Sequence, residues 1–103
     1  MIETELEKVR FRLLKERSGP KVQAWELLDP IGEVFAWAEI FPAEAEWWVR
    51  LYDQAAMLSE AHLLQVIKRL LVWEISCPAD TVQVELKRNG ARHTLVRVGA
   101  EYI

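Results

Sequence analysis

Two histidines, one cysteine, three serines and several closely spaced glutamates are the side chains in this chain whose types could do chemistry. Metal binding needs His, Cys or carboxylate ligands at spacings such as C-x-x-C or H-x-x-x-H. His62 and His93 fall on different elements with no such neighbour, so no metal site is expected. His93 sits near the tip of a hairpin as a structural residue, and His62 on the first turn of a helix as a solvated one. Nucleophilic catalysis needs Ser or Cys beside an oriented base, yet Ser18, Ser59 and Ser76 stand at element ends, where hydroxyls serve caps and turns. Cys77 follows the end of a helix rather than its beginning, which gives no reason for a lowered thiol pKa. Glu44 and Glu46, like Glu3, Glu5 and Glu7, could form a carboxylate pair, but nothing apolar is arranged to separate their pKa values. The glycines at 19, 32, 90 and 99 are isolated, which excludes a phosphate-cradling loop. The expectation is a protein that is not an enzyme, with no catalytic residue, no metal and no cofactor.

The elements that would position these groups follow from periodicity. Over 3–18, Leu6, Val9 and Leu13 recur at helical spacing, with glutamates first, Lys15 and Arg17 last and Gly19-Pro20 after, which predicts a helix. A strand over 8–14 competes with it, because Val9, Phe11 and Leu13 alternate with Arg10 and Arg12. Residues 21–29 and 33–41 predict a hairpin around Asp29-Pro30-Ile31-Gly32, with Asp29 paired to Glu33, Leu27 facing Phe35, Trp25 facing Trp37 and Gln23 facing Glu39. A third antiparallel strand over 46–53 puts Trp47, Val49 and Leu51 on one face and Trp48, Arg50 and Tyr52 on the other.

Ser59 is the expected N-cap for a helix from Glu60 to about Glu74. Its apolar positions, from Leu63 to Leu71 and Trp73, span roughly half the circumference at ~3.6 residues per turn, which predicts a buried central helix. Val82, Val84 and Leu86 then alternate with polar residues, Asn89-Gly90 predicts a tight hairpin turn, and Arg92 to Val98 returns with His93 opposite Leu86. The predicted order is αβββαββ, an α+β domain with two helices on one face of a five-stranded antiparallel sheet, and 1–103 forms a single globular domain. This order is similar to the type III secretion chaperone-like fold, and its first five elements resemble the double-stranded RNA-binding domain. Where the latter family carries a lysine-rich cluster, at the start of the second helix, this chain has Ser59-Glu60-Ala61-His62.

Composition narrows the setting. At 12.0 kDa the chain should fold to about 6,000 Å² of accessible surface, and 51% hydrophobic residues exclude disorder for most of it. A net charge of −3 and a pI near 5.4 supply no general attraction to phosphate backbones. The longest uncharged run, 61–67, is far short of the ~20 apolar residues of a spanning helix, so no membrane role is expected. An acidic beginning at Glu3 and Glu5 argues against export, and a lone cysteine gives no sign of an oxidising compartment, which leaves the cytoplasm. Glu outnumbers Asp 13 to 3 and Asn occurs once, a composition like that of heat-adapted proteins.

What stands out is aromatic. With Trp47, Val49 and Leu51 toward the helices, the opposite sheet face is expected to carry Trp25, Leu27, Phe35, Trp37, Trp48, Arg50 and Tyr52. Trp, Tyr and Arg are the residues enriched at binding hot spots, and a contiguous apolar patch of a few hundred Å² marks an interaction surface. The expected function is therefore a small structural or protein-interaction domain that forms a homodimer or binds a protein partner through Trp25, Phe35, Trp37, Trp48, Arg50 and Tyr52. The alternative is a nucleic-acid-binding module in which Lys87, Arg88, Arg92 and Arg97, with Lys68 and Arg69, contact phosphates while an exposed aromatic stacks on a base.

Overall fold

In the computed structural model, which describes residues 3–53 and 56–103, the chain begins with a 3-10 turn at Glu3–Lys8 that places Leu6 in the core, with Val9 buried just after it. Strand β1 (Arg10–Leu13) follows and pairs antiparallel with β2 (Gln23–Leu28), Phe11 facing Leu27 and Leu13 facing Trp25. A second 3-10 turn at Lys15–Arg17 closes the connection. The helix expected over 3–18 is thus not formed. Alternation prevails over helical spacing here because β1 supplies hydrogen-bond partners to an edge of β2 that would otherwise be open.

Strands β3 (Val34–Phe41) and β4 (Glu46–Tyr52) continue the antiparallel series, and the expected alternation along β4 holds, with Trp47, Val49 and Leu51 buried. The Asp29–Gly32 turn also forms: the Asp29 and Glu33 backbones bond at 2.8 Å, and the Asp29 carboxylate accepts from the N–H groups of Ile31 (3.1 Å) and Glu33 (2.9 Å). Beyond Leu28, however, the register departs from expectation. A bulge sets Leu27 opposite Ala36, so that Trp25 faces Ala38 and Trp37 faces Glu26, and the two tryptophans lie on opposite sides of the sheet. The extra residue lets the consecutive apolar pair Phe35 and Ala36 both be buried, which strict alternation would forbid.

Ser59 caps α1 (Glu60–Arg69), its hydroxyl accepting from the His62 N–H at 3.2 Å. The helix then widens into a π-helical turn at Leu70–Ile75 and ends at Ser76, which is left-handed (φ 52°). This widening changes the phase of the last turn, and Trp73, expected inside, is 80% exposed. One helix reverses the chain once, so β5 (Thr81–Leu86) starts beside the beginning of β4 and runs parallel to it. The expected five-stranded antiparallel sheet with two helices is therefore replaced, among the described residues, by a seven-stranded mixed sheet in a half-barrel, ordered β1 to β7, with one α-helix. Alternation in β5 is the same for either direction; the connection decides.

β5 pairs antiparallel with β6 (Arg92–Val98), which turns at Gly99 (φ 65°) into the short β7 (Glu101–Tyr102). Leu86 bonds to Ala91 rather than facing His93, which lies opposite Val84. The turn spans Lys87 to Gly90 and takes positive φ at Gly90 alone (74°), where a two-residue Asn-Gly turn needs it at both positions. The core joins Leu63, Val66, Ile67, Leu70 and Leu71 to the inward side chains of β2 to β6. The folded chain's accessible surface of 6196 Å² and radius of gyration of 12.8 Å match a compact chain of this length. Among the described residues no helix is long and apolar enough to cross a membrane.

Candidate functional site

The face of β3 to β6 turned away from α1 is built in rows, each strand contributing one residue. Register places Glu39, Arg50, Glu85 and Arg92 side by side in one row. The next row holds Phe41, Trp48, Gln83 and Thr94, and Trp37 faces Tyr52 on the other side. Cross-strand partners join these rows. Arg50 and Lys87 each lie 3.7 Å from the Glu85 carboxylate, and the Thr94 hydroxyl donates to Gln83 Oε1 at 2.9 Å. Tyr52 donates to Glu39 at 2.6 Å, and that bond first, then burial, raises the pKa of the phenol.

Aromatic and cationic groups interleave. Arg50 stands 5.2 Å from the Phe41 ring and Arg92 5.7 Å from the Trp48 ring, within cation–π range. Trp48, at the middle of the face, is 40% exposed. Across the charge row from Trp48, Leu14, Arg17, Trp37, Glu39 and Tyr52 line part of a groove of about 310 Å³. The arrangement can bind by stacking, ion pairing and apolar contact.

Four of the six expected interface residues, Trp37, Trp48, Arg50 and Tyr52, share this face. The other two do not. Trp25 (9% exposed) and Phe35 (5%) belong to the core, as does Leu27, because the bulge and the β1 pairing turn them toward α1. The expected basic patch is likewise divided. Lys87 and Arg92 flank the face, but Arg97 bonds to the Cys77 and Ala79 carbonyls and the Tyr102 hydroxyl. Arg69 bonds to the carbonyls of Leu6, Glu7 and Val9, tying α1 to the first turn.

Arg88 lies at the far end of β4, where sequence reasoning missed its ion pair with a buried acid. Its guanidinium donates to Asp53 Oδ2 at 3.0 Å and to the Leu58 carbonyl at 2.8 Å. Asp53 is 3% exposed, and burial raises its pKa against the opposing pull of Arg88. Its Oδ1 has no hydrogen-bond partner among the described residues. The signal was present: Asp53 continues the inward series Trp47, Val49, Leu51, where an acid is out of place. A cleft of about 750 Å³ opens beside it, lined by Tyr52, Asp53, Ala56, Lys87, Arg88 and Asn89. Nearby, Glu60 accepts from Asn89 at 2.5 Å and meets His93 Nε2 at 3.2 Å, contacts that lower the Glu60 pKa, Asn89 first.

The remaining candidates fall into backbone roles. The Ser18 hydroxyl donates to the Leu14 carbonyl at 2.8 Å and accepts from the Ala24 N–H at 3.0 Å, and Cys77 is buried. Among the described residues no three His, Cys, Asp or Glu side chains cluster so as to hold a metal ion. Comparison with protein-family models, with curated proteins and with solved structures returns no match to this chain.

Proposed function

We propose that this chain is a non-catalytic protein-interaction domain of the cytoplasm, needing no cofactor, that meets a protein partner through the outer face of β3 to β6. The observation that carries this reading is Trp48, a large aromatic left 40% exposed at the middle of a sheet, with Arg92 over its ring. An indole so placed contributes little to its own fold and much to a desolvated contact. The Trp37 and Tyr52 groove on the same face, across the charge row, supports the same reading. A phosphate-binding role has less support. Of the cations it would use, Arg69, Arg88 and Arg97 are committed to carbonyls or to Asp53, and Lys87 stands beside Glu85.

Photo-crosslinking tests the reading. A benzophenone side chain at position 48 should give covalent adducts with protein in the native cell, and one at Glu74, exposed at the end of the π-helical turn, should not. Equal yields from the two positions, or adducts from position 48 with nucleic acid, would overturn it.

A further inference from the structure

Resting on that reading, we propose that the partner is a second copy of this chain, related by a two-fold axis that runs parallel to β4 and β5 and passes between Arg50 and Glu85. The row Glu39, Arg50, Glu85, Arg92 alternates in sign across four neighbouring strands. When two copies pack face to face, a two-fold axis parallel to the strands reverses the order along the row. Glu39 then meets Arg92 and Arg50 meets Glu85, each acid against a base, four times over. An axis perpendicular to the strands keeps the order instead, and every residue meets its own like charge. The alternation therefore favours one arrangement of a closed dimer and opposes the other. At the next level along the strands, the same axis lays Trp48 of one copy over Gln83 of its partner, an indole against an amide.

Cross-strand pairing within one sheet also benefits from alternating charge, and Arg50 does lie 3.7 Å from Glu85 of its own chain. That pair is loose and its arginine side chain is 52% exposed, which leaves donors for a facing carboxylate. The size of the patch sets the strength. Four strands ~4.8 Å apart and ~3.3 Å per residue along β4 bound the patch at about 400 Å² per copy, less where the half-barrel curves away, against about 800 Å² for a standard interface. The dimer is accordingly reversible, with association visible only at high concentration.

Sedimentation velocity from about 10 μM to about 1 mM tests this, a range suited to a weak contact. The wild type should shift from monomer to dimer. Arg50→Glu alone and Glu85→Arg alone should each remain monomeric, since each places like charges across the axis. An equimolar mixture of the two should recover the dimer, because the new carboxylate at position 50 faces an arginine at position 85, and the reverse. Recovery on mixing requires both variants to be folded, and Glu39→Arg mixed with Arg92→Glu repeats the test at the outer pair. A wild type that stays monomeric throughout overturns the proposal, as does a dimer unaffected by the single substitutions, or failure of both mixtures to recover. A monomeric wild type whose position 48 still crosslinks to another protein rejects self-pairing alone; loss of those adducts rejects the proposed function itself.

Discussion

The two faces of this sheet are made of the same strands and obey different rules. On the inner face, residue type is set by burial: Val49, Leu51, Val82, Val84 and Leu86 are fully enclosed beneath Ile67 and Leu70. On the outer face it is set by neighbours across strands, where Glu39, Arg50, Glu85 and Arg92 alternate in sign and Phe41 and Trp48 stack under arginines. Removing a group from the inner face should therefore cost stability, and removing one from the outer face should cost association.

The largest effect is expected inside. Ile67→Ala or Leu70→Ala empties a site with no solvent access and should lower unfolding free energy by about 2 to 5 kcal/mol in denaturant titration. A loss under about 0.5 kcal/mol, the level of surface substitutions, would mean that α1 is not the keystone of the core.

The border between the faces should respond next. Arg88→Ala leaves the Asp53 carboxylate enclosed without its cation, at a cost of about 2 to 3 kcal/mol near neutral pH, somewhat below the range for breaking a fully buried pair. The pH dependence has a definite sign. Burial raises the folded-state pKa of Asp53, so the protonated form is the one that folding favours. The penalty in the variant should shrink as pH falls and Asp53 takes up its proton, and should be greatest above that range. Chemical denaturation of wild type and variant at acid and neutral pH measures it, and an equal penalty at both would show that Arg88 acts by packing alone.

A smaller effect should come from Tyr102, whose hydroxyl donates to the Ala79 carbonyl at 2.6 Å. Burial, with Cys77 beside it, pushes its pKa from 10.0 up to about 12. The folded state thus favours the neutral phenol, a contribution complete below pH 10 and lost as pH rises toward 12. Tyr102→Phe should cost about 1 kcal/mol at neutral pH and lessen the alkaline loss of stability in that window. An unchanged alkaline profile would remove Tyr102 from the account.

How far the sequence speaks depends on range. Ser59 as a cap, the Asp29 turn and the alternation along β4 were legible because each is decided within a few residues. The run Val34-Phe35-Ala36-Trp37-Ala38 is apolar throughout and fits either register, so the bulge that sends Trp37 outward and Phe35 inward left no local trace. The parallel pairing of β4 with β5 was hidden for a different reason: strand direction is set by the helix between them, not by the pattern within either. Hence Trp37, Trp48, Arg50 and Tyr52 could be named from sequence as one surface, while the charge row could not, since it needs Arg50 beside Glu85.

The smallest expected change in stability is at the centre of the outer face, where the largest change in association is expected. Trp48→Glu replaces an indole that is 40% exposed and contacts Arg92 at 5.7 Å, so the intramolecular loss is one exposed cation–π contact of about 0.5 to 1 kcal/mol. The incoming carboxylate sits within reach of that same arginine and recovers part of it. In the two-fold dimer, by contrast, position 48 faces Gln83 of the partner, which brings no cation across the contact, so stripping water from a carboxylate there is unfavourable even with Arg92 beside it. Thermal unfolding at low concentration should therefore differ little between Trp48→Glu and wild type, while sedimentation at high concentration should show the variant alone as monomer. A variant that unfolds as readily as Leu70→Ala would place Trp48 in the core economy of the sheet, and one that still dimerises would move the contact off this face.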